Sequence, residues 1–170
     1  MRGASLKVIF ISTDQPLFWL YAREEIVTVA QLAGARIAGF PDFAPPAALL
    51  RVVLSGVGVA LDKIRVEAVR DDTARLGLLR SGDVAAAVIS SAMPPAELEG
   101  KGYKPLLFFG DCIRVPTTGL AASSGLLESE PELLQKITDI FLASLRLIHK
   151  DEQLLKQVLL DCFQIEPACL

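Results

Sequence analysis

The first two thirds of the chain alternates short β-branched apolar runs with segments whose apolar residues recur every three or four positions. Runs of the first kind are typical of strands and segments of the second kind of helices. The pattern predicts strands at Leu6–Ser12, Leu17–Ala22, Arg36–Phe40, Ile64–Val69, Val84–Ile89 and Lys104–Gly110, and an extended segment at Thr117–Ser123.

Helix start and stop signals lie between these runs. Pro45 or Pro46 suits the first turn of a helix that ends near Gly56, and Asp71 or Asp72 caps a helix that ends before Gly82. The stretch "PPAELEG" predicts one or two further helical turns after the fifth strand. "SEPE" at 129–132 predicts a capping box before a long amphipathic helix, and Asp151 caps a last helix.

Alternation of strand and helix favours parallel strands joined by helical crossovers. We therefore predict an α/β fold in which Arg36–Phe40, Ile64–Val69, Val84–Ile89 and Lys104–Phe109 form one mainly parallel sheet with helices on both faces. For Lys104–Phe109 the prediction also includes an antiparallel orientation at an edge of the sheet.

Composition narrows the function classes. The chain has 170 residues, of which 52% are hydrophobic and 22% charged, with a net charge of −3. These values suit a folded domain or two small lobes, and the lack of a basic patch argues against nucleic acid as a partner. No apolar run approaches a membrane span, and the N-terminal apolar run predicts a strand rather than a signal peptide.

The usual catalytic and metal-binding patterns are missing from the sequence. No GxSxG, Walker A or GxGxxG motif is present. Cys112, Cys162 and Cys169 lack the spacing of a zinc site, and the single histidine, His149, has no nucleophile near it in sequence. We therefore predict no catalytic residue, no metal and no cofactor.

Three strand-to-helix turns carry polar or helix-starting residues, at 40–46, 70–75 and 90–95. In a parallel sheet they share one edge, where helix N-termini and strand-end hydroxyls suit an anionic or polar ligand. Ser90 and Ser91 would donate hydrogen bonds there, and Met93 would supply an apolar wall. The predicted ligand-binding residues are Thr13, Asp14, Pro41, Asp42, Phe43, Asp71, Asp72, Ser90, Ser91 and Met93.

Each of these residues also has a purely structural interpretation, which the sequence leaves open. The aspartates are most simply helix caps, and both serines could cap the turn at Pro94. Arg75 is expected on the surface of its helix, because long basic side chains usually reach solvent.

Four stretches of the chain resemble a known family. They read "LFWLYAREEIVTVAQLAGARIAGF", "RLGLLRSGDVAAAVI", "PPAELEGKGYKPLLFFGD" and "PTTGLAASSGLLESEPELLQKITDIFLASLRLIHKDE". In this order they resemble the nitrate/sulfonate/taurine and thiamine-pyrimidine-precursor group of ABC-importer substrate-binding proteins. The resemblance implies a type II periplasmic-binding-protein fold, a nitrate, sulfonate or pyrimidine ligand, and an ABC permease as partner.

The chain departs from the family pattern in two respects. Ala85 stands where the family usually has an aspartate. The family also begins with a signal peptide and the first part of lobe one, which we expect this chain to lack. The implied division is a remnant of lobe one and a hinge strand at 1–39, an α/β lobe two at 40–110, and a return segment with C-terminal helices of lobe one at 111–170. The implied location is periplasmic or extracellular, while a chain without a signal peptide leaves a cytoplasmic location open.

The resemblance leaves three functions to compare. The first is non-enzymatic binding of a small molecule for import. The second is a remnant or regulatory domain that has lost its cleft and forms a homodimer through exposed apolar surface. The third is an enzyme of thiamine-pyrimidine synthesis, which the missing catalytic groups disfavour.

Overall fold

A computed structural model describes residues 5–93, 98 and 102–163. The chain divides into two compact units. Unit 1 consists of Met1–Thr13 together with Thr118–Leu170, and unit 2 is the continuous segment Asp14–Thr117. The chain therefore passes from unit 1 into unit 2 and back again.

Unit 2 contains a five-stranded sheet with the order β4-β3-β5-β2-β6. β3 pairs in parallel with β4 and β5, whereas β2 pairs antiparallel with β5 and β6. Four of the five strands therefore run in one direction, as predicted. The strands are β2 (Phe18–Arg23), β3 (Arg36–Gly39), β4 (Arg65–Ala68), β5 (Ala86–Ser90) and β6 (Tyr103–Phe108).

The position of β2 differs from the sequence prediction. The segment Leu17–Ala22 was expected in a remnant of lobe one, but β2 lies between β5 and β6 in the sheet of unit 2. Its backbone hydrogen bonds to both neighbours explain this placement, because a strand paired on two sides belongs to the interior of a sheet. The unit boundaries at residues 13/14 and 117/118 accordingly differ from the expected divisions at 39/40 and 110/111.

Helices cover the two faces of this sheet. α1 (Pro45–Gly56) buries Leu50, Val53 and Leu54 against one face, in a core that includes Leu20 and Ile37. The opposite face packs against α2 (Asp72–Ser81) through a second core. α3 (Phe109–Cys112), a single turn that the sequence pattern did not predict, buries Phe109.

The ends of α2 follow the predicted chemistry. Asp71 is its N-cap, and the carboxylate accepts a hydrogen bond of 2.9 Å from the backbone N–H of Ala74. Gly82 ends the helix with φ of 81°, a left-handed conformation that costs glycine little. The helix predicted in "PPAELEG" falls largely on 94–97 and 99–100, outside the described residues.

Unit 1 contains a two-stranded antiparallel sheet of β1 (Leu6–Thr13) and β7 (Thr118–Ser123). Three helices follow: α4 (Ser124–Ser129), α5 (Pro131–Lys150) and α6 (Glu152–Phe163). The capping box predicted at Ser129 is wrong, because Ser129 ends α4 and Glu130 is the N-cap of α5 without a side-chain cap bond. The Asp151 cap is confirmed by a 3.0 Å bond from the N–H of Leu154.

Unit 1 buries few of its apolar residues. Ala122 and Leu134 are the buried apolar residues in its described part. The strongly apolar face of α5 is largely exposed, with Ile140 at 65% of its full accessibility, and on β1 Val8 is 68% exposed. Among the helices of the described residues, none combines the length and apolar character that crossing a bilayer needs.

Candidate functional site at the carboxyl edge of the sheet

The carboxyl ends of β4, β3 and β5 lie side by side in unit 2, because these three strands are parallel neighbours. Each is followed by one of the polar turns identified in the sequence. The N–H of Val69 donates to the carbonyl of Gly39 at 2.8 Å, which joins the ends of β4 and β3. The geometry therefore places the described parts of the three turns on one edge of the sheet, where ligands bind in open α/β folds.

Arg75 connects all three strand ends, although it lies on α2. Its Nε donates to the carbonyl of Val88 at 2.6 Å, and its Nη1 donates to the carbonyls of Val69 at 2.6 Å and Arg70 at 2.8 Å. Its Nη2 donates to the carboxylate of Asp72. A planar guanidinium can make such divergent bonds at once, because its five N–H groups form a fixed fork.

The environment of Arg75 is dry and aromatic. Its exposed fraction is 0%, and the guanidinium carbon lies 3.8 Å from the centroid of the Phe40 ring, at the end of β3. Burial lowers the pKa of Arg75, while the charge and hydrogen bond of Asp72 act in the opposite direction. The site therefore holds a buried cation whose hydrogen bonds compensate for lost hydration.

The expectation that Arg75 lies on the surface is wrong. Once Asp71 caps α2, residues 75, 76 and 79 occupy the same inward face, and Leu76 and Leu79 are buried beside Arg75. The cap and the helical period were both visible in the sequence. The cap and the period together predict that Arg75 faces the sheet, beneath the ends of its strands.

Asp72 and Ser90, two of the predicted ligand-binding residues, lie in contact. The backbone N–H of Ser90 donates to Oδ1 of Asp72 at 3.1 Å. The Ser90 hydroxyl accepts a 3.0 Å bond from the N–H of Ala92 and so turns the chain after β5. The side chain of Ser91 is exposed and makes no hydrogen bond to another described residue, so its hydroxyl is available to solvent or a ligand.

The three aspartates near this edge are already paired. Asp71 caps α2, Asp72 binds Arg75, and Asp42 forms an exposed ion pair with Nη2 of Arg51 at 2.5 Å. These contacts fit the structural interpretation of the carboxylates. The three carboxylates bind other groups of the protein, and a carboxylate would in any case repel an anionic ligand.

The N-terminus of α1 offers no free donors in its first three positions. Pro45 and Pro46 have no N–H, and the N–H of Ala47 donates to the carbonyl of Ala44 at 3.0 Å. The expectation that this helix N-terminus presents free N–H groups to an anion is therefore wrong. At this turn, an attractive group for an anion has to come from a side chain.

Arg70 is the cation that sequence reasoning missed at this edge. Its guanidinium carbon lies 4.9 Å from the centroid of the Phe43 ring, and Phe43 itself is 74% exposed. Phe43 was predicted as a ligand-binding residue, whereas Arg70 was noted only as the start of a turn. No sequence signal distinguished Arg70 from other surface arginines before the sheet order brought β3 and β4 together.

The remaining predicted residues lie elsewhere or have structural contacts. Met93 is half-buried and packs against the core on the α2 face, and the carbonyl of Pro41 accepts from Ala44 within its own turn. Asp14 pairs with Nη1 of Arg114 at 3.3 Å. Thr13 ends β1 and belongs to unit 1.

The side chains at this edge define what it can bind. Within the described ranges, no group of three or more histidine, cysteine or acidic side chains could hold a metal ion. The edge offers the hydroxyls of Ser90 and Ser91, the exposed ring of Phe43 and the exposed guanidinium of Arg70. Such a set can bind a small anion or polar molecule by hydrogen bonds and charge.

Comparison with known families identifies the chain. The profile of the family described as "NMT1/THI5 like" matches residues 1–153. The chain belongs to the NMT1/THI5-like family. No curated protein matches the chain at a significant level.

Solved structures match the fold of this NMT1/THI5-like chain. They include the alkanesulfonate-binding protein SsuA of Xanthomonas axonopodis pv. citri bound to MOPS, with 20% identity and a TM-score of 0.75, covering 98% of this chain and 58% of that one. The periplasmic aliphatic sulphonate binding protein SsuA of Escherichia coli gives 20% identity, a TM-score of 0.80, and coverage of 96% and 56%. The periplasmic sulfonate-binding protein SsuA of Methylobacillus flagellatus KT gives 17% identity and a TM-score of 0.73. The match covers 91% of this chain and 47% of that one.

These comparisons confirm the resemblance drawn from the four sequence stretches. The fold is the mixed α/β fold of type II periplasmic binding proteins, as predicted. The chain spans between 47% and 58% of the length of these three structures.

Proposed function

We propose that this protein binds a small anion or polar molecule of the nitrate, sulfonate or pyrimidine class, without chemical conversion, for ABC-type import. The observation that carries the proposal is the network around Arg75, which holds three parallel strand ends together in unit 2. A binding site gains affinity when its groups are fixed before the ligand arrives. Arg75 supplies that rigidity from beneath the edge.

Family membership and the neighbouring structures support the ligand class. The matching proteins from Xanthomonas axonopodis and Escherichia coli bind alkanesulfonates or aliphatic sulphonates according to their descriptions. A sulfonate is a compact anion with three acceptor oxygens, and exposed hydroxyl and guanidinium donors suit it. We therefore place alkylsulfonates first among the three ligand classes.

The proposal extends to location and partners. Two of the matching proteins are described as periplasmic, and we propose the same location for this protein. An import function also implies a membrane permease as a partner. We propose that unit 2 corresponds to lobe two of a two-lobed binding protein and unit 1 to part of lobe one. The ligand-contacting residues we propose are Ser90, Ser91 and Phe43, while Asp72 and Arg75 position them.

Calorimetric titration of the full chain tests this proposal. The probes are ethanesulfonate, butanesulfonate, sodium nitrate and 4-amino-5-hydroxymethyl-2-methylpyrimidine, each at constant ionic strength. Saturable binding of one probe, with a matching rise in thermal unfolding temperature, is expected. Absence of binding to all four probes contradicts the proposal, and a bound chromophore in the purified protein would favour the synthesis enzyme.

A second candidate function has its own observation. Several large apolar residues are exposed on β1 and α5, among them Val8 and Ile140, and they favour a domain that associates through unit 1. In this case the protein would form a homodimer and show no ligand response. The same titration, combined with light scattering, separates the two candidates.

A further inference from the structure

Arg70 and Phe43 form an exposed pair at the proposed binding edge. Phe43 follows β3 and Arg70 follows β4, so the pair exists only because these strands are parallel neighbours. A cation 4.9 Å from a ring centroid is within the range of a cation–π interaction. Phe43 is 74% exposed, so much of its ring surface is open to solvent or a ligand.

The charge of Arg70 is not neutralised by the described part of the protein. Its guanidinium makes no ion pair or hydrogen bond with another described residue, in contrast to Arg51 and Arg75. The neighbouring carboxylates of Asp42 and Asp71 are held by Arg51 and by the N-terminus of α2. Arg70 is therefore the cation at this edge whose N–H donors remain available to an anion.

The backbone beneath the pair is fixed on both sides. The N–H of Val69 bonds to Gly39, and the carbonyls of Val69 and Arg70 both accept from Nη1 of Arg75. The turn that carries Phe43 is closed by the 2.8 Å bond from Ala44 to Pro41. Little backbone ordering is then required when a ligand binds, which favours recognition by these side chains.

We propose that Arg70 and Phe43 select the ligand, so that the site prefers an organic anion with an apolar part over an inorganic anion such as sulfate or nitrate. The guanidinium binds the anionic head, and the open face of the ring accepts the apolar part of the molecule. This inference rests on the proposed binding function. A site of this kind would not bind nitrate or sulfate best, and its selectivity would depend on Arg70 and Phe43.

Titration of the full chain with benzenesulfonate, methanesulfonate and sodium sulfate tests the selectivity. For the native chain we expect benzenesulfonate to bind more tightly than methanesulfonate, and sulfate most weakly. Arg70→Gln should weaken benzenesulfonate binding by about 10- to 100-fold, because a charge-assisted hydrogen bond is lost. Phe43→Leu should weaken benzenesulfonate binding by several-fold while leaving sulfate unchanged, which reduces the selectivity between them.

Arg36→Gln is the matched control, because Arg36 is an exposed arginine at the opposite end of β3, paired with Glu67. It makes the same change of charge and should leave affinity unchanged. Thermal unfolding of each variant checks that the fold is intact. If the native chain binds a probe and Arg70→Gln binds it equally well, the selectivity inference is overturned while the proposed function stands. If the native chain binds none of these three probes but binds nitrate or the pyrimidine, the selectivity inference is again overturned while the proposed function stands. Absence of binding to every probe of both titrations overturns both.

Discussion

The guanidinium of Arg75 lies 3.8 Å from the centroid of the Phe40 ring. This contact joins α2 to the end of β3, while the hydrogen bonds of the same guanidinium reach the ends of β4 and β5. One side chain therefore fixes the relative positions of three strand ends. A cation on an aromatic face is worth most where water is excluded, as it is here.

Arg75→Met should lower the free energy of unfolding by about 3–5 kcal/mol, the usual effect of removing one partner from a buried ion pair. Methionine fills similar volume but removes the guanidinium donors from the carbonyls of Val69 and Val88. Urea unfolding followed through Trp19, the single tryptophan, measures the change in unit 2. Arg51→Met, at an exposed pair, should cost about 1 kcal/mol or less, and an equal loss in both variants would contradict the assigned role of Arg75.

Replacing Asp72 separates its charge from its hydrogen bond. Asp72→Asn keeps an oxygen for the Ser90 N–H but removes the charge facing Arg75, and should cost about 1.5–3 kcal/mol. Asp72→Ala also leaves the Ser90 N–H without its acceptor and should cost about 1 kcal/mol more. Urea unfolding of both variants beside Asp62→Asn, an exposed control, measures these differences. Equal stability of the Asn and Ala variants would show that the bond to Ser90 contributes nothing.

The two serines should respond differently to substitution. Ser90→Ala removes the bond from Ala92 and should cost about 0.5–1.5 kcal/mol in stability, whereas Ser91→Ala should leave stability unchanged. As ligand donors, the pair replaced together should weaken binding by about 1–3 kcal/mol, or roughly 5- to 150-fold. Calorimetric titration with butanesulfonate measures the affinity. Reduced stability with unchanged affinity would leave the serines as structural residues only.

Much of the fold was predictable because residues with strong local preferences mark where its helices begin and end. Asp71 and Gly82 bound α2 as expected, and Pro45 begins α1. Strand order was less accessible, since hydrogen-bonding partners are not encoded locally. β2 is flanked by short connections and resembles any aromatic-rich strand, so its antiparallel placement between β5 and β6 required tertiary information.

The candidate site was predictable only in part. The carboxyl-end rule placed Ser90 and Asp72 at the same edge, and the structure joins them by a hydrogen bond. The rule could not distinguish carboxylates that stabilise the protein from groups that face a ligand. Nor could it find Arg70, whose pairing with Phe43 depends on residues far apart in sequence.

Association through unit 1 gives another test. If the exposed face of α5 is covered by a second copy of the chain, light scattering should report a dimer, and Ile140→Glu should shift it toward monomer because a buried charge is costly. Val52→Glu is the control, since Val52 is a similarly exposed apolar residue on α1 of unit 2. A stable monomer of the native chain at high concentration would count against the homodimer.

The thiol of Cys112 should react slowly near neutral pH. Cys112 is exposed overall, but partial desolvation of its thiol, with a smaller contribution from the charge of Asp111, raises the pKa of Cys112, so less thiolate is present than in a free cysteine. Its rate of reaction with a disulfide reagent, measured against pH in a Cys162→Ser, Cys169→Ser background, should rise at higher pH than that of free cysteine.

The same shift has a consequence for stability. The unfolded chain loses the Cys112 proton at a lower pH than the folded chain, so this contribution to stability is present below the ordinary pKa and is lost as pH rises through the raised one. Cys112→Ser should flatten the stability profile over that alkaline range. An unchanged profile would show that the thiol environment is the same in both states.

The central place of β2 also has a consequence for how the protein folds. Phe18 pairs with Ser90 and Trp19 with Phe108. β2 is the first strand of unit 2 to be synthesised, but it pairs with β5 and β6, which are the last. Contacts between residues so distant in sequence slow folding, because a long loop has to close before they form. The sheet is therefore completed only after β6 has left the ribosome. A nascent chain that ends before β6 has an unpaired edge on β2, which chaperones would need to shield.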